Sequence, residues 1–357
     1  MTTTASPRTA PRQRGFSLIE VLIGLLIAMI AVVIMMEVLI TSEQRTRTTS
    51  GGNEAMSTGA VMLHLMQRDL VQSGYGINTV KLLGCNMTLP APVSKTVPLA
   101  PVVIYKSGDT STVVPPGDAD TDRLLVFYGN DNGQPEGNTI FTVTGSTYTI
   151  QAPTAFNVGD YVVAYPDSCT GNLKLAKVTA VTTDDVTVDS AEAGATVLYN
   201  MGKSPKLIAY AVRNGSLSSC DYMAADCSSA SATSWTAVGG NIVSLRAQYG
   251  KDTSGPPMDG SVDAWDQTTP ANACEWVRAS TVRYAIVARS AQYESALDAS
   301  GQRTCEAVTA AAPGWNGSAG AAINLGAATD WQCYRYRTFE NVAPSRNIVW
   351  MGAQAGC

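Results

Sequence analysis

Histidine is almost missing from this chain of 357 residues; His64 is the only one. It lies in a stretch that reads as an exposed helix, so no histidine-based catalytic triad is available. None of the eight cysteines forms a CxxC pair, which with a single histidine excludes a Cys/His zinc centre. GxSxG is absent. MGKSP at 201–205 ends like a phosphate-binding loop, but Val197 stands where GxxxxGK[ST] requires its first glycine. Charged residues make up only 15% of the chain, the net charge is -5, and no run of Lys or Arg suggests a nucleic-acid groove. Proline is missing between Phe16 and Tyr75, which removes the usual cause of a sharp helix kink. There is no internal repeat.

Ser, Thr, Ala, Gly and Val are abundant instead, a mixture that suits an exported, β-rich protein. The cysteines (Cys85, Cys169, Cys220, Cys227, Cys274, Cys305, Cys333 and Cys357) are even in number and dispersed, as in a disulfide framework formed in an oxidising compartment. Spacing alone does not fix their pairing. Proximity along the chain favours Cys220 with Cys227, then Cys305 with Cys333.

The N-terminus carries the strongest pattern. Arg8, Arg12 and Arg14 precede Gly15, and Phe16 to Met36 is a run of 21 residues whose only charge is Glu20. About 20 apolar residues span a bilayer as a helix, and the arginines before it belong on the cytoplasmic side. A secretory signal peptide has a shorter apolar region followed by a small-residue cleavage site. Here the run continues to Ile40 without one. Glu37 falls at the outer edge of the span, where charge is tolerated. Glu20 falls inside it, where a carboxylate needs a partner. A plain signal anchor with Glu20 reaching to the interface is the alternative, and it requires Gly15, Phe16 and Glu20 to coincide by chance.

RGFSLIEVLIGLLI resembles the class III signal of type IV prepilins and type II secretion pseudopilins. The resemblance implies cleavage by a prepilin peptidase between Gly15 and Phe16, N-methylation of Phe16, and a role for Glu20 at the fifth mature position. In a packed helical bundle, Glu20 would accept a charge-assisted bond from the N-terminal ammonium of a neighbouring subunit and set its register.

Past the span, Met56, Leu63 and Leu70 recur at seven residues, with Gly59 and Met66 between them. Met56, Leu63, Met66 and Leu70 are therefore expected to hold a head domain against the helix. Gln44, Arg45, Arg47, Gln67, Arg68 and Asp69 are expected on its polar faces. The GYG at 74–76 stops the helix. A helix from Phe16 to Ser73 would be roughly 87 Å long at about 1.5 Å per residue.

The remainder reads as β. PVVIYK (101–106), RLLVFYG (123–129), TIFTVTG (139–145) and YTIQ (148–151) are strands. FNVGDYVVAYP (156–166) and KLAKVTAVTTDDVTVDS (174–190) predict a small barrel-like or hairpin unit. KLIAYAVRNGSL (206–217) is a hairpin turning at Asn214-Gly215. NIVSLRAQYG (241–250) and WVRASTVRYAIVARS (276–290) are central strands, the second beginning as a helix. Loops are expected at 107–120 and 251–273.

NIVSLRAQYGKD, DGSVDAWD, VRASTVRYAIVARS and YRYRTFENVAPSRNIVW, in that order, resemble the PilW family of minor pilins. The expected fold is accordingly α+β and type IV pilin-like. Its parts are a leader at 1–15, a membrane or filament-core helix at 16–40, an amphipathic helix at 41–75, and a β-rich head at 76–357. The resemblance implies a non-enzymatic role in priming pilus assembly, in the inner membrane with the head in the periplasm and then in the surface pilus. The implied partners are the prepilin peptidase, other minor pilins, the major pilin, the inner-membrane assembly platform and a tip adhesin. The alternatives are a type II secretion minor pseudopilin, and a pilus-tip adhesin or DNA-uptake module. Arg335, Tyr336, Arg337 and Arg346 could form a local patch for DNA, or alternate across a strand.

No cofactor is expected. Asp252, Asp259, Asp263 and Asp266, with Gly255 and Gly260, offer oxygen ligands to calcium, but the spacing is not that of an EF-hand and Asp is also a common turn residue.

Overall fold

The computed structural model describes residues 15–129, 134–230, 233–319, 321–325, 328–354 and 356–357; Arg8, Arg12 and Arg14 lie outside them. One α-helix runs unbroken from Leu18 to Gln72. The chain divides into two compact units, one ending at Ser50 and one from Gly51 to Cys357, here called the head. The head thus begins inside the helix, earlier than residue 76. No residue of the helix before Gly51 is buried.

Among the described residues, three larger sheets build the head, with a two-stranded one at Ala296–Leu297 and Arg303–Thr304. The first is the unit at 138–202, where six strands form a ring. In order they are Leu173–Val181, Tyr161–Tyr165, Val197–Gly202, Asn138–Thr144, Thr147–Ile150 and Asp185–Val188, and the last pairs back with the first. The expected barrel-like unit is therefore a closed barrel. The sequence pattern shows why: Tyr148, Ile150, Val186 and Val188 alternate with Thr147, Thr149 and Thr187, so each strand turns one apolar face inward. Tyr148, Phe156, Val162, Val178 and Leu198 fill the interior, a core separate from that of the rest of the head. Two short strands at Asn86–Thr88 and Thr96–Pro98 extend this sheet.

The second sheet has five strands: Thr236–Gly240, Ser216–Asp221, Lys206–Arg213, Arg123–Tyr128 and Val102–Tyr105. Its hairpin turns at Asn214 and Gly215, both at positive φ (51° and 66°), as the short turn requires. The third sheet has four: Ala264–Asp266, Ile242–Lys251, Thr281–Arg289 and Tyr336–Pro344. A short helix, Ala273–Arg278, leads into its Thr281–Arg289 strand, as expected. Asn272 caps that helix by accepting the Glu275 N–H. Asp122 links the two sheets: its buried carboxylate accepts N–H bonds from Ser107 and Ala247.

Four disulfides fasten the head: Cys85–Cys169, Cys220–Cys227, Cys274–Cys357 and Cys305–Cys333. Two are the pairs favoured by proximity. The other two join residues more than eighty apart in sequence, which spacing could not specify.

Candidate functional site

The helix carries two surfaces of opposite character. From Phe16 to Ile40 its large side chains are exposed, Phe16 by 83% and Leu22 by 58%. It is the one helix among the described residues long and apolar enough to cross a membrane. Glu20 lies in its first turn, where the helix dipole favours a negative charge, and finds no partner among the described residues. Thr41, Thr46 and Thr49 each donate a hydroxyl to the carbonyl four residues back, and Arg47 pairs with Glu43 at 2.5 Å. These bonds are internal to the helix and leave its surface free.

From Gly51 onward one face is covered. Its buried residues are Gly51, Ala55, Gly59, Met62, Met66, Asp69 and Leu70. Met66 and Leu70 take the seats expected of them, and Leu63 packs partly against the same core. Met56 does not: it is 54% exposed. The reason is geometric. A seven-residue repeat slips by about 20° per step on a straight helix, so the Met56–Leu63–Leu70 line runs off the edge of the face. The true face follows the three- and four-residue steps and is built largely of small residues.

Those small residues set how closely helix and sheets approach. A Cβ on Gly59 would stand 2.1 Å from the Phe339 ring of the third sheet. One on Gly239, in the second sheet, would stand 2.3 Å from the Met62 sulfur. Glycine at both positions admits bulky side chains from the opposite partner.

Asp69 also departs from its expected place. It is not on a polar face but is buried to 1%, where Tyr128 donates to Oδ1 at 3.1 Å and Tyr210 to Oδ2 at 2.5 Å. The exposed Arg68 adds an ion pair at 3.3 Å. Burial, and then the Asp69 charge, push both tyrosine hydroxyls well above their ordinary range, so both remain donors. Three further bonds complete the seat. Tyr284 donates to the Leu63 carbonyl at 2.9 Å. Asn347 donates to the carbonyls of Gln72 and Ser73, which the helix end would otherwise leave without donors. Gly74 and Gly76 then leave the helix at positive φ, the expected stop.

The acidic loop and the C-terminal Arg335 make local bonds. Each aspartate of the acidic loop is taken up separately. Asp252 accepts from Ser254 and Gly260 N–H and pairs with Arg278. Asp259 accepts from Ser261, Asp263 from Thr253, and Asp266 pairs with Lys251. No group of three or more His, Cys, Asp or Glu among the described residues is placed to hold a metal. Arg335 pairs with Glu294 and Tyr336 donates to the Trp331 carbonyl, leaving Arg337 and Arg346 exposed. His64 is exposed on the helix.

Two family models match the chain. Residues 10–36 match the prokaryotic N-terminal methylation motif, and residues 209–347 match type IV pilus-assembly protein W. The second match runs through the hairpin and the whole third sheet and stops where Asn347 caps the helix; the barrel lies outside both. No curated protein and no solved structure matches. The family serves assembly rather than catalysis, and an apolar anchoring helix directly behind a methylation motif is what a prepilin needs. The chain thus carries the N-terminal methylation motif of a prepilin and, over residues 209–347, is similar to type IV pilus-assembly protein W.

Proposed function

We propose that the protein acts in the complex that primes type IV pilus assembly and stays at or near the filament tip. The observation that carries this reading is the apolar helix surface from Phe16 to Ile40, which the chain itself leaves unburied around the single carboxylate of Glu20. Such a surface is stable in a bilayer or in a bundle of like helices, and Glu20 in the bundle demands a cation. Cleavage between Gly15 and Phe16 creates one, the new ammonium of a neighbouring subunit. Bonding it to Glu20 sets the axial register. The proposed route is insertion with the head in the periplasm, cleavage by prepilin peptidase, and extraction into a filament by the assembly platform with the other pilins. A head of several sheets crowds a regular helical array, which favours the tip.

The test is a clean deletion complemented with wild type or with Glu20→Ala, scoring sheared surface filaments and secreted proteins in the same cultures. Loss of filaments with intact secretion, restored by wild type and not by Glu20→Ala, supports the reading. Loss of secretion with intact filaments assigns a type II secretion pseudopilin instead.

A further inference from the structure

On the outer side of the third sheet lies a cavity of about 360 Å³, within the size range of roughly 300–1,000 Å³ typical of small-molecule sites. Val243, Leu325 and Trp331 form its apolar lining, and Asn214, Arg289 and Tyr336 supply its polar groups. Arg289 and Tyr336 are direct cross-strand partners, which fixes their spacing on the sheet.

Arg289 is the unusual member. Its guanidinium stacks on the Tyr334 ring at 4.3 Å from the centroid, which holds it in place. Yet it has no acceptor among the described residues, and its Nε is buried without one. A half-buried guanidinium without a carboxylate partner is a poor structural choice and a good anion receptor. The one acid lining the cavity is already engaged: Asp118 accepts the N–H groups of Asn214 and Gly215 at 2.8 and 2.7 Å. Those bonds pin the backbone of the hairpin turn, while the Asn214 side-chain amide makes no bond within the described residues. A fixed cation, an available amide, a phenol and an indole beside an apolar lining match one ligand chemistry. It is a six-membered ring with hydroxyls on its edge, a C–H face, and a carboxylate.

We infer that this cavity binds an acidic saccharide residue, with Arg289 receiving the carboxylate, Asn214 the ring hydroxyls and Trp331 the apolar face. The site lies in the head and stands whether or not the protein occupies the filament tip.

The test is saturation-transfer NMR on the full mature chain in detergent micelles, with methyl galactosiduronate (the methyl glycoside with its carboxylate free), methyl galactoside and benzoate (as anion, neutral sugar and ring carboxylate). Galacturonate is expected to bind at least about tenfold more tightly than galactoside, in line with the loss of a charge-assisted bond. Arg289→Gln should abolish that preference. Asn214→Asp should also abolish it: aspartate tolerates the positive φ of the turn and places a second negative charge at the cavity. This second variant keeps the test decisive if Arg289→Gln fails to fold. Equal binding of the two sugars, no binding of galacturonate, or a preference unchanged by Asn214→Asp overturns the inference. Benzoate binding in place of galacturonate overturns the saccharide assignment.

Discussion

The two halves of the Leu18–Gln72 helix are one secondary-structure element held by unlike forces. Before Gly51 no residue is buried, and the surface is apolar as far as Ile40 and polar after it. After Gly51 the helix contributes small residues and one acid, and the sheets supply the large side chains and the donors. The first half has an apolar surface awaiting a surround. The second is fitted to one surround already, through close approach and a buried charge rather than hydrophobic bulk.

Substitutions that treat the halves alike should therefore give unlike results. The largest difference is expected for two methionines ten residues apart, both expected to face the head, of which only Met66 does. Met66→Ala should destabilise the head by about 2–5 kcal/mol, as for other buried large-to-small changes, while Met56→Ala should stay within about 0.5 kcal/mol. Chemical denaturation followed by tryptophan fluorescence reads both. If Met56→Ala costs as much as Met66→Ala, the placement of the helix face is wrong.

Asp69→Ala should lower stability by roughly 2–5 kcal/mol, because it leaves two buried tyrosine hydroxyls without their acceptor. Combining Asp69→Leu with Tyr128→Phe and Tyr210→Phe should recover much of that loss, since all three polar partners then disappear together. A combined variant no better than Asp69→Ala alone would mean that packing, and not the orphaned hydroxyls, dominates.

The glycines give a smaller contrast. Gly59→Ala should cost about 1–3 kcal/mol by pressing on Phe339. Gly24 has nothing within 4 Å of an added Cβ, so Gly24→Ala should leave the unfolding of the head unchanged. Smallest of all, Glu43→Ala removes an exposed ion pair and should leave no measurable change in melting temperature.

The same contrast explains what the sequence discloses. Hydropathy is a one-dimensional property, so the apolar run, its isolated Glu20 and the preceding Gly15 are legible without any tertiary knowledge. Strands with period-two alternation, such as Thr147–Ile150 and Asp185–Val188, are legible for the same reason, as is the Asn214-Gly215 turn. The seat of the helix is not. Gly51, Ala55 and Gly59 carry little hydropathy signal, and their value lies in what they allow Ser290 and Phe339 to approach. Asp69, beside Gln67 and Arg68, reads as solvent-facing because Tyr128 and Tyr210 sit 59 and 141 residues further on. One clue was present: positions 62, 66 and 69 or 70 share one helical face, which places Asp69 beside Met62 and Met66. The Arg289 cavity was equally hidden, since its lining converges from five separate stretches of the chain.

The most direct test of the central claim is the intact mass and N-terminal fragment sequence of this protein recovered from sheared surface filaments. The account predicts a chain beginning at N-methylated Phe16 and present in the filament fraction. A chain beginning at Met1, or a processed chain confined to the membrane and never found with filaments, would contradict it.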